Sequence, residues 1–583
     1  MRHPIQNVRR VWCGVDTTDQ RPTLWCQVTS ASVKPRFAGR QPSTCGGVPR
    51  VKTRPRANQL RGQARDLSPD NPTHERHKRH AHHATPVARL GEQAGREVPI
   101  TMETHMNHHA PCLPVVGAHT RVPLINGGST TYANLDCAAS APALVAVQER
   151  VNQVLPLYAS VHRGAGYLSQ VSTALYEAAR TSIGQHVGAR ADDVTIITRH
   201  TTDSLNLLAG CIPTNPDGTP GKVLVLDIEH HANLLPWQAA SGGATVITAA
   251  TTIRETLTQL RAELARDNYT LVAATGASNV TGEALPITEL VDIAHAAGAR
   301  IVIDAAQLVP HRGFSLTTSG ADYVVFSGHK TYAPFGAGAL VGRRDWLDAG
   351  HPYLAGGGAV HNVTLTTITW APAPARHEAG SPNVIGAVAL AAACEALGNL
   401  PAGELERHEN VLRTRLVEGL SAIEGVRILR LWEDSCDPVG VVSFTVAQCD
   451  PGLVAAYLSA EHGIGVRDGR FCAHPLLTRL GVENGAIRAS VGVGTTVDEV
   501  ERLIAAVTQW VEQGSDATYD IINGCWAVHN DPRPTPAGSG LDGLIATAAA
   551  AVADVAAGCG PTARTRPTPT DTHPKENSPV PVA

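Results

Sequence analysis

One stretch of the chain places a lysine where its amine could act as a nucleophile. Residues 323–326, YVVF, have the length and β-branched content of a buried strand, and Lys330 follows shortly after them. The carboxyl ends of parallel strands open onto the crevice in which α/β proteins bind ligands. A lysine amine that is partly desolvated there becomes neutral more readily and can attack an aldehyde. A lysine in a solvated surface loop is the alternative that this stretch alone leaves open.

A second apolar run, residues 301–304, ends on the carboxylate of Asp304. Burying a carboxylate is costly unless a cation or a hydrogen-bond donor meets it. The protonated nitrogen of a pyridine ring is such a partner, and an aspartate paired with it keeps a pyridoxal ring able to withdraw electrons. Gln307 follows Asp304 closely and completes a set of three polar residues with Lys330.

The spacing of Asp304, Gln307 and Lys330 resembles that of fold-type I pyridoxal-phosphate (PLP) enzymes of aminotransferase class V, and most closely the cysteine desulfurase and selenocysteine lyase branch. The resemblance implies an α/β fold, with a large domain built on a mostly parallel central sheet and a smaller α+β C-terminal domain. Strand and helix patterns alternate between residues 194 and 330. Such alternation independently indicates right-handed βαβ crossovers and a mostly parallel sheet.

Further segments resemble the cofactor-binding motifs of this family. Residues 199–206, RHTTDSLN, are similar to its phosphate-binding turn, although His200 stands where glycine is usual. A helix N-terminus of this kind suits an anion. Residues 229–238, EHHANLLPWQ, resemble the motif whose histidine, here His230, stacks on the pyridine ring and moves protons at the substrate Cα. The resemblance implies these cofactor-binding residues: Thr202, Asn206, His230, Asn279, Asp304, Gln307, Ser327, His329 and Lys330, with Ser381 reaching the phosphate in the other subunit of a homodimer.

Cys472 lies in a segment, residues 463–475, that resembles the cysteine-bearing turn of the family. The resemblance implies that its thiolate takes the sulfur of L-cysteine or a close analogue, leaving alanine and an enzyme persulfide. A thiol with a pKa of about 8.5 is mostly protonated at neutral pH, so a nearby cation, Arg467, Arg470 or His474, would have to lower that pKa. Relatives carry two histidines where this chain has Arg470 and Phe471. The substrate-binding residues implied are Arg467, Arg488 and His162.

Other functions stay open at this level. The same cofactor supports other class V reactions, namely those of an aminotransferase, an epimerase or a C–S lyase, and a buried cysteine is commonly inert packing. From a different class, the chain could be a non-catalytic PLP-fold protein or a metal-binding protein that uses an N-terminal histidine cluster. No metal site is predicted within the fold itself. The cluster consists of His74, His77, His80, His82, His83, His105, His108 and His109.

Length and composition suggest a division of the chain into four parts. Its 583 residues exceed what one small core requires. Residues 1–100 contain 18 Lys and Arg against 7 Asp and Glu, and a basic, proline-rich stretch without apolar periodicity predicts disorder. The predicted parts are a disordered extension (1–120), a large PLP-binding domain (121–390), a small C-terminal domain joined by N-terminal segments (391–513), and an extension (514–583) that is disordered beyond about residue 560.

The composition predicts a cytoplasmic protein. No signal peptide is recognisable, no apolar run is long enough to span a bilayer, and the twelve cysteines form no CxxC pair. The family resemblance implies a homodimer that acts on a small amino acid, L-cysteine or an analogue. It also implies a further partner, a protein that accepts the sulfur. Neither nucleic acid nor a membrane is an expected partner.

Overall fold

The computed structural model describes residues 110–162, 164–522 and 524–533. Their strands are β1 (Arg121–Pro123), β2 (Ser129–Thr131), β3 (Ala133–Asn134), β4 (Asp193–Thr198), β5 (Val223–Leu226), β6 (Ala244–Ile247), β7 (Leu271–Thr275), β8 (Arg300–Asp304), β9 (Tyr323–Ser327), β10 (Gly338–Arg343), β11 (Val360–Val363), β12 (Ile368–Trp370), β13 (Val426–Ile428), β14 (Val441–Val446), β15 (Ile464–Gly465), β16 (Arg467–Gly469), β17 (Ala486–Ser490), β18 (Tyr519–Ile522) and β19 (Cys525–Val528).

The α-helices of the same residues alternate with the strands through the first half of the fold. They are α1 (Val145–Val154), α2 (Tyr167–His186), α3 (Thr201–Ala209), α4 (Leu235–Ala239), α5 (Ile253–Leu264), α6 (Ile287–Ala296), α7 (Leu316–Ser319), α8 (Arg344–Ala349), α9 (Val384–Gly398), α10 (Glu404–Ser421), α11 (Pro451–His462), α12 (His474–Arg479) and α13 (Val497–Gln513).

A sheet with the strand order β4-β10-β9-β8-β7-β5-β6 forms the centre of the fold. Strands β5 to β9 are parallel, whereas β10 lies antiparallel between β4 and β9. The inner strands are apolar and buried on both faces, as expected for a parallel sheet covered by helices. The mostly parallel sheet predicted from the sequence is confirmed, and the antiparallel strand β10 is the element that the alternation did not predict.

A smaller antiparallel sheet, with the order β13-β14-β17-β16, is built from the C-terminal part of the chain. The short strand β3 from the N-terminal part pairs in parallel with β15, and the Ser490 N–H donates to Leu135 O at 2.7 Å. Ala133 and Leu135 are therefore buried with side chains of α10, α11 and α13. An N-terminal contribution to this part of the fold was predicted.

Chain segments outside the two predicted domains also pack on the fold. The Leu113 and Val116 N–H groups donate to Val493 O and Ala143 O, so packed structure begins before the predicted boundary at residue 121. The hairpin β18–β19 is held to α11 by the Tyr519 hydroxyl, which donates to Glu461 at 2.7 Å. The predicted domain limits stay predictions, and the N-terminal histidine cluster lies outside the described residues. In the part of the chain that the structure describes, no helix combines the length and apolar composition needed to cross a membrane.

Candidate active site

A cavity of about 400 Å³ opens at the carboxyl ends of β7, β8 and β9. Strand ends meet there because parallel strands all terminate at one edge of the sheet. The cavity is closed on its other side by residues of β16 and β17 and by the turn that carries Cys472. It brings together most of the predicted site residues, namely Thr202, His230, Asn279, Asp304, Gln307, Ser327, His329, Lys330, Arg467, Cys472 and Arg488.

Three predicted site residues lie away from this cavity. Asn206 is exposed on α3, where its side-chain amide donates to Thr202 O at 2.8 Å. His162 is exposed and its Nε2 lies 2.8 Å from Glu177 Oε1. Ser381 is exposed just before α9. Their roles in binding stay predictions.

Lys330 follows the end of β9, and its N–H donates to Ser327 O at 3.2 Å in the turn after the strand. Burial lowers the pKa of its amine from 10.5 to about 8, and the opposing charge of Asp304 limits that shift. Asp304 ends the neighbouring strand β8 and is 4% exposed. Burial raises the pKa of this carboxyl, whose Oδ1 accepts a hydrogen bond from the Ala306 N–H at 3.0 Å. The site therefore holds a lysine that is readily deprotonated beside a buried carboxyl group.

The N-terminus of α3 faces the end of β9. The Thr201 N–H donates to Ser327 Oγ at 2.8 Å, and the two hydroxyl groups lie 2.7 Å apart. His200 precedes the helix in an extended conformation, with φ −171°, which any residue adopts. Its imidazole therefore replaces the usual glycine without backbone strain. Burial lowers the pKa of His329, on the same side of the cavity, to about 4, and the charges of Lys330 and His200 act in the same direction.

His230 follows β5 and presents a neutral imidazole to the cavity. Burial, followed by the charge of Lys330, lowers its pKa to about 3. Its Nδ1 accepts a hydrogen bond from the Ala232 N–H at 3.0 Å. Since Nδ1 is an acceptor, the proton of the neutral ring is on Nε2.

Cys472 sits in a turn with an uncommon backbone conformation. Phe471 and Cys472 have φ angles of 50° and 51°, a left-handed conformation that costs on the order of 1–2 kcal/mol for each residue. Two hydrogen bonds hold it: the Asn279 side chain donates to Phe471 O, and the His231 N–H donates to Cys472 O, both at 2.8 Å. The turn is therefore fixed by residues from the central-sheet part of the fold.

Two arginines share one carboxylate at the cavity wall. Asp136 accepts from Arg467 Nη2 at 2.9 Å and lies 3.4 Å from Arg488 Nη2. Arg488 is buried, donates through Nη1 to Asn279 O, and stacks over the Phe471 ring with its Cζ 5.1 Å from the ring centroid. Burial lowers its pKa to about 10, which leaves it charged at neutral pH. Such a guanidinium suits a substrate carboxylate.

Sequence reasoning gave no role to two carboxylates of this region. Asp136 orients the two arginines, and its carboxylate within the otherwise uncharged segment 135–139, LDCAA, was the available signal. Glu229 follows β5 and is buried; it accepts hydrogen bonds from the Thr275 N–H at 3.0 Å and from the Asn233 side chain at 2.6 Å. Burial raises the pKa of Glu229 to about 8. Asp304 ends β8 and Glu229 lies three residues beyond the end of β5, so both carboxyl groups lie at the carboxyl ends of buried strands, a pattern visible in the sequence.

A second cavity, of about 490 Å³, lies around Tyr132 and Arg502. The guanidinium of Arg502 is already hydrogen-bonded to Thr131 O and His462 O, and Glu499 accepts from the Thr496 N–H and hydroxyl. Arg502 and Glu499 are thus engaged in holding the fold. Among the described residues, no cluster of three or more His, Cys, Asp or Glu side chains could hold a metal ion.

Comparison with known proteins identifies the family. The aminotransferase class-V family matches residues 133–503, a span that includes every residue of the 400 Å³ cavity. The chain belongs to this family. Its members depend on PLP, so the predicted cofactor and the predicted fold-type I architecture are both confirmed.

The similar proteins include several cysteine desulfurases. A probable cysteine desulfurase of Vibrio cholerae is 36% identical over 394 residues, covering 67% of this chain and 95% of the relative. Probable cysteine desulfurase 2 of Mycobacterium leprae is 39% identical over 390 residues, or 65% of this chain and 92% of the relative. The crystal structure of the cysteine desulfurase CsdA from Escherichia coli matches with a TM-score of 0.59 and 34% identity, over 65% of this chain and 95% of that structure.

The residues of the class V cavity fit PLP. The buried carboxyl of Asp304 is placed to receive a protonated ring nitrogen, and Gln307 Oε1 is a buried acceptor with no hydrogen-bond partner among the described residues. The N-terminus of α3 and the adjacent hydroxyl groups suit a phosphate. Lys330 provides the readily deprotonated amine to which the aldehyde carbon would be attached.

Proposed function

We propose that this enzyme is a PLP-dependent cysteine desulfurase that converts L-cysteine into L-alanine and leaves a persulfide on Cys472. The observation that carries the proposal is that Cys472 lines the same cavity as Lys330 and Arg488, in a chain whose relatives are named cysteine desulfurases. A nucleophilic sulfur is needed there only if sulfur itself is transferred. Transamination and epimerisation require the cofactor residues alone.

The bound cofactor would supply an electron sink that makes the Cα–H bond of an amino acid acidic. Asp304 would keep the ring nitrogen protonated, and His230 would cover the ring face with a neutral imidazole. Lys330, with a pKa of about 8, has a substantial neutral fraction at physiological pH. Its amine can therefore hold the cofactor and, when released, accept and return the proton of the substrate Cα.

Arg488 is the best-supported partner for the substrate carboxylate. It is buried in the cavity wall, remains charged at neutral pH, and its Nε has no hydrogen-bond partner among the described residues. Asp136 fixes its orientation and that of Arg467, which is more exposed. Together they would place the amino acid with its side-chain sulfur toward Cys472.

In the sulfur step, the Cys472 thiolate attacks the sulfur of the substrate. An S–S bond forms, the C–S bond of the substrate breaks, and the substrate carbon keeps the bonding electron pair and takes up a proton to give alanine. The positive charges of Arg488 and Lys330 interact with a thiolate at Cys472. These two cations support the anionic form in a chain that lacks the two histidines usual before this cysteine.

The proposal includes a homodimer in which Ser381 serves the second subunit, a sulfur-accepting partner protein, and a cytoplasmic location. The cytoplasmic location is supported by a chemical requirement, because a cysteine that is to be persulfidated must first be a thiol, and reducing compartments maintain thiols. It also includes the predicted division into a large and a small domain near residue 390. The two sheets described above support that division.

The test is to measure alanine formation from L-cysteine by the purified full chain and by its Cys472→Ser variant. The variant should bind PLP with an unchanged absorbance spectrum and form alanine at least about a hundredfold more slowly, the scale expected when a covalent nucleophile is lost. Cys436→Ser, at an exposed cysteine, is the matched control and should behave like the parent. The rate of alanine formation from selenocysteine should fall less when Cys472 is lost, because the C–Se bond is weaker than the C–S bond. Undiminished turnover of L-cysteine by the Cys472→Ser variant would instead favour another class V reaction.

A further inference from the structure

His200 has no part in the assignments above, although it lines the active-site cavity. It lies between β4 and α3, next to Thr201 and Thr202 and on the same side of the cavity as Ser327 and His329. A Cβ atom on Gly338 of β10 would come within 2.7 Å of the His200 Cα. The backbone of β10 therefore packs directly against the backbone of His200.

The hydrogen bond made by the His200 ring determines which of its nitrogens carries a proton. Nδ1 accepts the Asp203 N–H at 3.1 Å and so caps α3. A nitrogen that accepts is unprotonated, so the neutral ring has its proton on Nε2. Capping therefore converts Nε2 into a hydrogen-bond donor on a residue that lines the cavity.

The first turn of α3 is arranged to receive one anion. Its Thr201 N–H donates to Ser327 Oγ, its Asp203 N–H donates to His200, and its Ser204 N–H donates to His200 O. The Thr202 N–H makes no hydrogen bond to another described residue. His200 and His329 interact electrostatically across this space. Two imidazoles beside an unused backbone donor form a site that an anion would stabilise.

We propose that His200 is an additional binding residue for the phosphate of PLP, donating from Nε2 while Nδ1 caps α3. A glycine at this position, as is usual in relatives, offers neither group. The inference rests on the PLP cofactor of the proposed function but not on cysteine as its substrate.

Two substitutions separate the two functions of the ring. In His200→Asn, the amide oxygen takes the place of Nδ1 and keeps the helix cap, whereas no donor reaches the position of Nε2. In His200→Gln, the amide nitrogen takes the place of Nε2 and keeps a donor, whereas the cap is lost. The full chain is freed of cofactor by dialysis, and its affinity is measured for PLP and for pyridoxal, which lacks the phosphate. Covalent attachment at Lys330 is common to both probes and cancels in the comparison.

The His200→Asn variant should bind PLP about tenfold more weakly, the scale of one hydrogen bond to a charged group, with its affinity for pyridoxal changed less than about twofold. The His200→Gln variant should keep most of its affinity for PLP but unfold at a lower temperature without cofactor. Unchanged PLP affinity in His200→Asn would overturn the proposal, as would equal losses for PLP and pyridoxal. Failure of the parent chain to bind PLP would overturn the cofactor assignment as well, whereas a PLP-binding chain that does not release alanine would contradict only the desulfurase.

Discussion

The lowered pKa of Lys330 predicts how fast PLP should be attached at different pH values. Only the neutral amine attacks an aldehyde, and an ordinary lysine with a pKa of about 10.4 is roughly 0.04% neutral at pH 7. With the pKa of about 8 that burial gives Lys330, roughly 10% is neutral, an increase of more than about 200-fold. The attachment rate should therefore rise about tenfold per pH unit below pH 8 and level off above it.

The assay is the initial rate of PLP attachment to the cofactor-free full chain between pH 6 and 10, followed by the absorbance of the attached cofactor. Borohydride reduction and peptide mapping locate the modified lysine, which should be Lys330. Lys330→Ala should show no attachment in the cavity. Lys222→Arg is the control, because Lys222 is a surface lysine paired with Asp267.

Asp304 provides a second test of the same electrostatic reasoning. Its negative charge raises the pKa of Lys330, in opposition to burial. Asp304→Asn should therefore move the levelling-off point to a lower pH. A rate that keeps rising to pH 10 in the parent chain would refute the lowered pKa, and a shift to higher pH in Asp304→Asn would refute the assigned role of its charge.

Three further changes have expected outcomes. Asp136→Asn should raise the KM for L-cysteine about tenfold while leaving the cofactor spectrum unchanged, because it releases the two arginines that Asp136 orients; a spectral change would contradict this. Glu409→Ala should destabilise the chain by about 3–5 kcal/mol in denaturant unfolding, because it removes the buried carboxylate that pairs with Arg312 and leaves that buried cation only the exposed carboxylate of Asp437, whereas the exposed Glu418→Ala on the same helix should have little effect. Since its partners lower the pKa of Glu409, this difference should shrink as the pH falls below about 4.5. A chain that starts at Met106 should keep PLP binding, dimer and activity, checked by absorbance, gel filtration and alanine release.

The sequence predicted the positions of site residues at the ends of central strands better than the positions of site residues that come from other parts of the chain. Lys330 and Asp304 follow apolar runs that only a buried strand explains, so their meeting at one sheet edge follows from topology. The antiparallel insertion of β10 was not predictable, because a strand's direction depends on its partners and not on its own apolar pattern. The pairing of Asp136 with Arg488 likewise depends on contacts between residues that are far apart in the chain.

Local conformation accounts for the positions at which the chain departs from its family. His200 stands where glycine is usual, and it is accommodated because the turn before α3 needs no positive φ at this residue. The Phe471–Cys472 turn does adopt positive φ, and the residue types alone gave no indication of it. The sequence could not reveal that Asn279 and His231 stabilise that conformation, because both contacts join residues that are far apart in the chain.

The pairing of β3 with β15 has a consequence for how the active site is completed during synthesis. Ala133 leaves the ribosome early, whereas its partner Ile464 is added about 330 residues later, an interval on the order of 15–70 s at 5–20 residues per second. The residues around the α3 N-terminus and Lys330 are all made within that interval. A nascent chain therefore possesses the residues that hold the cofactor before it possesses Cys472 and Arg488. Asp136 is synthesised before Arg467 and Arg488, the two arginines that pair with it. The wall that faces the substrate is therefore the last part of the cavity to form.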